Sequence, residues 1–264
     1  MAPPPRDRPT RLCLPLPRGH PPLRIASNRV AVQADSTVAE ASARLFEAGE
    51  DVGTWTGSVL WDAGEVLARY LTTLPAPFWP RARCVELGCG AGLVGLTAVA
   101  LGAAHCHITD QAVHLARWNA DQNFSGQQRG RAVLTALRWG DADAIAGVKS
   151  SGPFDLVLGA DILYDRASHG ALAETIAALC TQHTVLLLST QDGAPADPEA
   201  LAAPFWRKLS ALGFRCEDVS GDEAVAELIA QYDGHPVADY WTSGNRGPIS
   251  LVRAARRPPA APRL

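Results

Sequence analysis

At 264 residues, 47% of them apolar and 19% charged, the chain is near the upper limit for one hydrophobic core and has the balance of an ordinary globular protein. A formal net charge of −3 gives no general attraction for phosphate backbones, so nucleic acid is not the expected partner. No apolar run reaches the roughly 18 residues that span a bilayer, and Cys13, Cys84, Cys89, Cys106, Cys180 and Cys216 form no C-x-x-C pair. They read as reduced, mostly buried thiols of a cytoplasmic, monomeric protein that has no membrane partner.

The first thirty residues are rich in proline, carry Arg6, Arg8, Arg11, Arg18, Arg24 and Arg29, and have Asp7 as their one acid. Such composition cannot bury enough apolar surface to order itself, which predicts a flexible tail over residues 1–22 whose removal leaves the fold intact. An organelle transit peptide is the alternative, weakened by the scarcity of serine. LRIASNRVAVQ alternates apolar and polar around Ser27-Asn28 and predicts a small hairpin. Val59, Leu60, Ala63, Val66, Leu67 and Tyr70 fall at helical spacing, closed by Pro75 and Pro77. Then strands and helices alternate. RCVELGCG is a strand and turn, AGLVGLTAVALG a helix, CHITD a strand, AVHLARWNADQNF a helix and AVLTALRW a third strand. FDLVLGAD, TVLLLST, FRCEDVS and GPISLVRA follow as strands, with helices at ALAETIAALC and APFWRKLSALG. The alternation predicts an α/β fold, a doubly wound and mostly parallel seven-strand sheet over residues 23–254, with a small N-terminal extension and a second basic tail over 255–264. In such sheets ligands bind outside the carboxyl ends of the strands.

The glycines of Gly88-Cys89-Gly90-Ala91-Gly92 stand where a strand turns into a helix, so backbone can approach a ligand there and offer it N–H groups. Asp110 ends the next strand, where a doubly wound fold puts the acceptor for ribose hydroxyls. Gly90, Gly92 and Gly95 also satisfy the dinucleotide fingerprint, which keeps an NAD oxidoreductase open. Glu86 argues against it, since a carboxylate at the strand end repels a pyrophosphate and suits a cationic ligand. None of the four tyrosines has a lysine four residues on, which removes one dehydrogenase catalytic pair. Asp161 directly follows the apolar run LVLGA and must be paired or face a cleft. His105, Cys106 and His107 alternate across a strand, so no metal site is expected.

GTWTGSVLWDAGEVLARYL, VELGCGAGLVGLTAVALGA, ITD, LRWGD and FDLVLGADILYD, in this order and spacing, resemble the family 16 seven-strand protein methyltransferases, which include protein lysine methyltransferases. The resemblance implies S-adenosyl-L-methionine as methyl donor, a methyltransferase domain over 23–254, and a protein substrate whose lysine ε-amine accepts the methyl group. It implies Trp61 beside the cofactor, with the backbone of Gly88, Cys89 and Gly90 at its methionine part; Glu86, at the strand end, is the carboxylate that suits this cationic ligand. Asp110 would hold the ribose, Trp139 would lie against adenine, and Ala160 would touch the same ligand. Asp161 and Tyr164 form the D-x-x-Y signature that marks the target amine. Two segments depart from the pattern: STQDGAPADPEA lacks an expected arginine, and GDEAVAELIAQYDGHPVADYWTSGNRG is long and of unclear match. Histidine or arginine acceptors therefore stay open, as does a catalytically silent scaffold.

Overall fold

The computed structural model describes residues 11–17, 20–27, 57, 59–232 and 247–257. Strands β1 (Arg11–Leu14) and β2 (Leu23–Ala26) pair antiparallel, Leu12 opposite Ile25 and Leu14 opposite Leu23. Leu23–Ala26 thus pairs with an upstream strand, and the second half of the expected hairpin, residues 28–33, lies outside the described residues. The tail is corrected with it, because order extends at least to Arg11. Burial overrides composition here. Leu14, Leu23 and Ile25 are all within 2% of full burial, and each such side chain contributes about 1.5–3 kcal/mol. Asn123 fixes the hairpin from outside, its Oδ1 accepting from Arg24 N at 2.8 Å and its Nδ2 donating to Arg24 O at 2.6 Å.

Helix α1 (Asp62–Thr73) ends before Pro75, and a short 3-10 helix, Ala76–Arg81, buries Trp79. The main sheet follows: β3 (Arg83–Leu87), α2 (Leu93–Ala100), β4 (His105–Asp110), α3 (His114–Asn123), α4 (Gly126–Arg131), β5 (Ala132–Ala136), α5 (Ala142–Lys149), β6 (Leu156–Ala160), α6 (His169–Leu179), β7 (Val185–Thr190), α7 (Ala203–Ala211), β8 (Phe214–Asp218), α8 (Glu223–Ala230) and β9 (Ser250–Arg256). Its order is β5-β4-β3-β6-β7-β9-β8. β9 runs antiparallel between β7 and β8, and the other six strands run together. Because β9 extends to Arg256, whose Nη2 bonds Ala177 O, the second tail begins later than residue 255. α5, α8 and the six-residue α4 were not expected. α5 is set by Asp141, whose side chain accepts from Asp143 N and Ala144 N at its first turn.

Alternation along β3 divides the interior: Cys84 belongs to a core shared with β1, β2, α1, α2 and α3, while Val85 and Leu87 belong to a second core under α6 and α7. The chain winds outward through β3, β4 and β5, then returns to the middle at β6. That reversal leaves a crevice between the ends of β3 and β6, where an open sheet accepts a ligand. Among the described residues no helix is long and apolar enough to cross a membrane.

The hairpin correction has a measurable consequence. Leu14→Ala is expected to destabilise the protein by about 2–4 kcal/mol, read by urea denaturation, and deletion of residues 2–18 to lower the melting temperature by several degrees. A truncated protein that melts with the full chain would remove β1 from the core.

Candidate active site

The turn after β3 is held by the end of β4. Thr109 Oγ1 donates to Glu86 O at 2.7 Å, Cys89 N to Thr109 O at 2.9 Å, and Gly90 N to Asp110 Oδ2 at 2.9 Å. Asn119 of α3 reaches back to Ala91 O at 2.9 Å. Gly88, Gly90 and Gly92 have φ of 67°, 51° and 84°, in the left-handed region that favours glycine. Crowding excludes a side chain as well: a Cβ on Gly88 would lie 2.6 Å from Ile162 Cγ2 and 3.2 Å from Trp139 Cζ2, and one on Gly90 would lie 2.5 Å from Gly57 O. The space left free by these glycines is thus partly taken by protein. It is how the ends of β3, β5 and β6 and the segment before α1 come together.

Glu86 sits beneath this turn, buried, with Oε2 accepting from Gly95 N in α2 at 2.9 Å. Burial pushes its carboxyl up to about 8, opposed by the Gly95 hydrogen bond and reinforced by Asp110. Glu86 is therefore an internal brace between β3 and α2. The third glycine of the fingerprint has the same cause, since a Cβ on Gly95 would lie 2.5 Å from Glu86 Oε2. Cys89 is corrected in one respect: its N–H is taken by Thr109 and its carbonyl by Gly92 N at 2.7 Å, so it offers no N–H to a ligand. Burial also raises the Asp110 carboxyl, against hydrogen bonds from Gly90 and Gln111. The Gln111 N–H donates to Asp110 Oδ1 at 2.6 Å.

The remaining predicted residues stand around the same crevice. Trp139 follows β5, half-buried, in a turn pinned by Gly140 N to Thr175 Oγ1 of α6 at 3.0 Å. Ala160 ends β6, 3.9 Å from the Cβ position of Gly64, so the first turn of α1 lies over it. Trp61 is the residue at the N-terminus of that helix. Asp161 is 4% exposed, has φ 55°, donates its N–H to Ser189 O at 2.8 Å and accepts at Oδ1 from Gln191 N at 3.3 Å. Tyr164, 51% exposed, is the exposed large hydrophobic side chain among the described residues. The signature pair thus has one buried and one exposed member, with buried Ile162 and Leu163 between them.

Three features escaped the sequence reading. Ile162 and Gly57 wall the glycine turn, and His169 Nε2 bonds Leu163 O at 2.8 Å inside the signature loop. Near α1, Tyr232 donates to Glu65 Oε2 at 3.0 Å and accepts from Arg69 Nε at 2.9 Å, tying α1 to the chain after α8. Burial and Glu65 push the Tyr232 hydroxyl up to about 12. Residues 233–246 of the long segment lie outside the described residues.

A crevice of this kind at the topological switch point, with a glycine turn, a carboxylate on the next strand and D-x-x-Y after the fourth, defines a seven-strand methyltransferase fold. The profile of the lysine methyltransferase family matches residues 41–201, and the chain belongs to that family, which excludes the NAD oxidoreductase reading. It is 38% identical over 135 residues to the mouse protein N-lysine methyltransferase METTL21A, an alignment covering 50% of this chain and 59% of that protein. It is 33% identical over 166 residues to the mouse EEF1A lysine methyltransferase 3, covering 63% and 67%. The match to METTL21A of mouse and of Xenopus tropicalis thus spans only about three fifths of those relatives' length. A solved structure assigned as an S-adenosylmethionine-dependent methyltransferase, from Listeria monocytogenes, superposes with TM-score 0.51 at 14% identity, covering 75% of this chain and 98% of that one; it speaks to fold alone.

The position of Glu86 yields a pH test with a definite sign. Its folded pKa of about 8 lies above the ordinary 4.5, so the unfolded chain loses this proton first and stability falls as pH rises through that window, by about 1.4 kcal/mol per unit. Glu86→Gln keeps an acceptor for Gly95 and does not titrate. Between pH 5 and 8 the ligand-free wild type is expected to lose roughly 3–4 kcal/mol relative to the variant, measured by urea denaturation. Parallel pH profiles would show that Glu86 ionises normally.

Proposed function

We propose that this protein transfers a methyl group from S-adenosyl-L-methionine to the ε-amine of a lysine in a protein substrate. The observation that carries the reading is the arrangement of Asp161 and Tyr164 at the end of β6, beside the glycine turn of β3 and across the switch point from Asp110. When bound, S-adenosyl-L-methionine supplies a methyl group on a positively charged sulfur, and displacement by an amine leaves a neutral thioether.

The residues present fit that ligand. Asp110 presents a carboxylate to the ribose hydroxyls at the end of β4, and Trp139 supplies a flat apolar wall for adenine. The left-handed glycine turn, Ala160 and Trp61 line the methionine part. Glu86 acts from below by fixing the turn, and the Asp110 carboxylate makes the pocket favourable to a cation. A free lysine has a pKa of about 10.4, so near pH 7.4 roughly one in a thousand is neutral. Desolvation between the Tyr164 ring and the buried strand end favours the neutral amine. Asp161 accepts a hydrogen bond from it and aims its lone pair at the methyl carbon. With the cofactor bound, the nitrogen–carbon bond would form as the sulfur–carbon bond breaks, and the methylated nitrogen would pass its extra proton to solvent. Most of the rate comes from this positioning.

The substrate is read as a protein because both family relatives above are named for protein lysine methylation and the chain's net charge is −3. A reducing, cytoplasmic setting fits the six free cysteines. Incubation with radiolabelled S-adenosyl-L-methionine and a cell extract, with and without nuclease, is expected to give a labelled protein band that survives nuclease. Mass spectrometry of that band then separates lysine from histidine or arginine.

Roles divide cleanly between variants. Asp110→Ala is expected to weaken cofactor binding by about 1.5–3 kcal/mol for each charge-assisted hydrogen bond lost, measured by calorimetry. Asp161→Ala is expected to slow single-turnover transfer by at least about 100-fold and Tyr164→Phe by about tenfold, with cofactor affinity changed less than tenfold. Loss of cofactor binding in both signature variants would move the pair into the nucleoside pocket. Wild-type transfer by Asp161→Ala would make the signature structural.

A further inference from the structure

The signature loop is anchored at several points, and most of them are accounted for. Asp161 is held by backbone groups of Ser189 and Gln191 beside and beyond β7. Ile162 is held by packing, its methyl carbons against Gly88 and Gly159. Asp165 turns the chain into a short 3-10 helix, accepting from Ala167 N at 3.0 Å, with its carbonyl taken by Ser168 Oγ at 2.8 Å. Leu163 lies between these points, fully buried. Its carbonyl has no strand partner, because β6 ended at Ala160.

His169, the first residue of α6 and 3% exposed, meets that carbonyl at 2.8 Å through Nε2. A carbonyl only accepts, so the ring carries its hydrogen on Nε2. Nδ1 is buried and has no hydrogen-bond partner among the described residues. The imidazole is thus committed to one bond, and its position is set by packing: its edge meets the Phe205 ring of α7 at 5.9 Å and 68°, and Phe205 is fully buried. Leaving a buried polar nitrogen unsatisfied costs about 1–3 kcal/mol. An apolar residue at this position would avoid that cost and still fill the space. What it would not do is hold the Leu163 carbonyl.

The plane of the Leu163–Tyr164 peptide is the last constraint before the Tyr164 side chain leaves the backbone. Tyr164 is half exposed, so little packing of its own fixes it. We propose that His169 is a positioning residue for methyl transfer: by orienting the Leu163 carbonyl it sets the direction from which Tyr164 meets the acceptor amine. α6 thereby braces both walls of the site, since its Thr175 also receives the Gly140 N–H that pins the turn carrying Trp139. This inference rests on the acceptor-site reading of Asp161 and Tyr164.

The test uses the full chain, with substitutions at His169 and Tyr164. His169→Phe keeps an aromatic ring against Phe205 and removes the donor. His169→Gln places an amide N–H near the position of Nε2 and is the conservative rescue. With the labelled protein substrate and saturating S-adenosyl-L-methionine, His169→Phe is expected to lower single-turnover transfer by about 10- to 100-fold, the scale of a small misplacement. Cofactor Kd should stay within about twofold, and His169→Gln should recover most of the rate. In a Tyr164→Ala background, where nothing is left to position, the effect of His169→Phe should largely disappear.

Wild-type transfer by a folded His169→Phe overturns the proposal. So does a His169→Gln variant as slow as His169→Phe, or a full additive loss in the Tyr164→Ala background. If His169→Phe does not fold, the comparison of His169→Gln with the shorter His169→Asn carries the same test: equal rates overturn it. A wild-type protein that binds S-adenosyl-L-methionine and transfers to no protein acceptor would instead overturn the acceptor-site reading, and the positioning role with it. A His169 failure alone leaves that reading standing, because Asp161→Ala would still abolish transfer.

Discussion

The turn that follows β3 is the constraint on which the rest of this protein depends. It leaves the sheet with left-handed backbone at three glycines and has no strand partner of its own, so its shape must come from neighbours. The end of β4 supplies them, through Thr109 and Asp110. Glu86 supplies the other anchor by placing a carboxyl under α2 in an apolar setting. Desolvation there is severe enough to push that carboxyl up to about 8. A carboxyl that keeps its proton can still accept from Gly95, so the brace survives without a buried charge. Binding of a cationic ligand just above it would favour the ionised form, which couples ligand charge to the state of the brace.

From that turn the division of labour follows the topology. Asp110 and Trp139 stand at and after the ends of β4 and β5, on one side of the switch point. Asp161 and Tyr164 follow β6, on the other side. The two halves meet through Ile162, which occupies the space that a side chain on Gly88 would need. Because Gly88 is thus a contact between the halves, a bulky residue there would disturb both Trp139 and the loop that carries Ile162. The glycine pattern is a packing requirement.

Much of this was legible in the sequence, for reasons that differ by element. The buried parallel strands read as short apolar runs separated by helices, and period and length suffice to find them. Asp161 was legible as a buried, partnered carboxylate, because one placed directly after LVLGA must be paired or face a cleft. What was not legible depends on contacts between residues distant in the chain. β1 has four residues in a proline-rich stretch, and nothing local says that Leu14 will be buried beside Leu23. α5 is short and contains Gly147, and the signal that was available, Asp141 as its N-terminal cap, went unused. Glu86 stood at the expected place, but its partner is a backbone N–H nine residues on in α2. Composition cannot tell such a brace from a ligand contact. His169 gave no signal at all, since one histidine at a helix start is bland until the Leu163 carbonyl is seen beside it.

Asp161 shows why the loop after β6 needs such support. Among the described residues it is the non-glycine with positive φ, at 55°, a conformation that costs an ordinary L-residue roughly 1–2 kcal/mol. Aspartate tolerates it better than most because its short side chain bonds locally. Glycine would remove the strain and also the carboxylate. The strain is offset by two bonds that are made only in this conformation, the N–H to Ser189 and the acceptance from Gln191. Their effect is to turn the chain sharply at the end of β6, so that the carboxylate stays buried in the crevice while Tyr164, three residues on, reaches solvent. A strand continued in extended form would have sent the next side chains to alternate faces of the sheet. The reversal at Asp161 is what puts a buried acceptor of hydrogen bonds and an exposed aromatic ring three residues apart at one strand end.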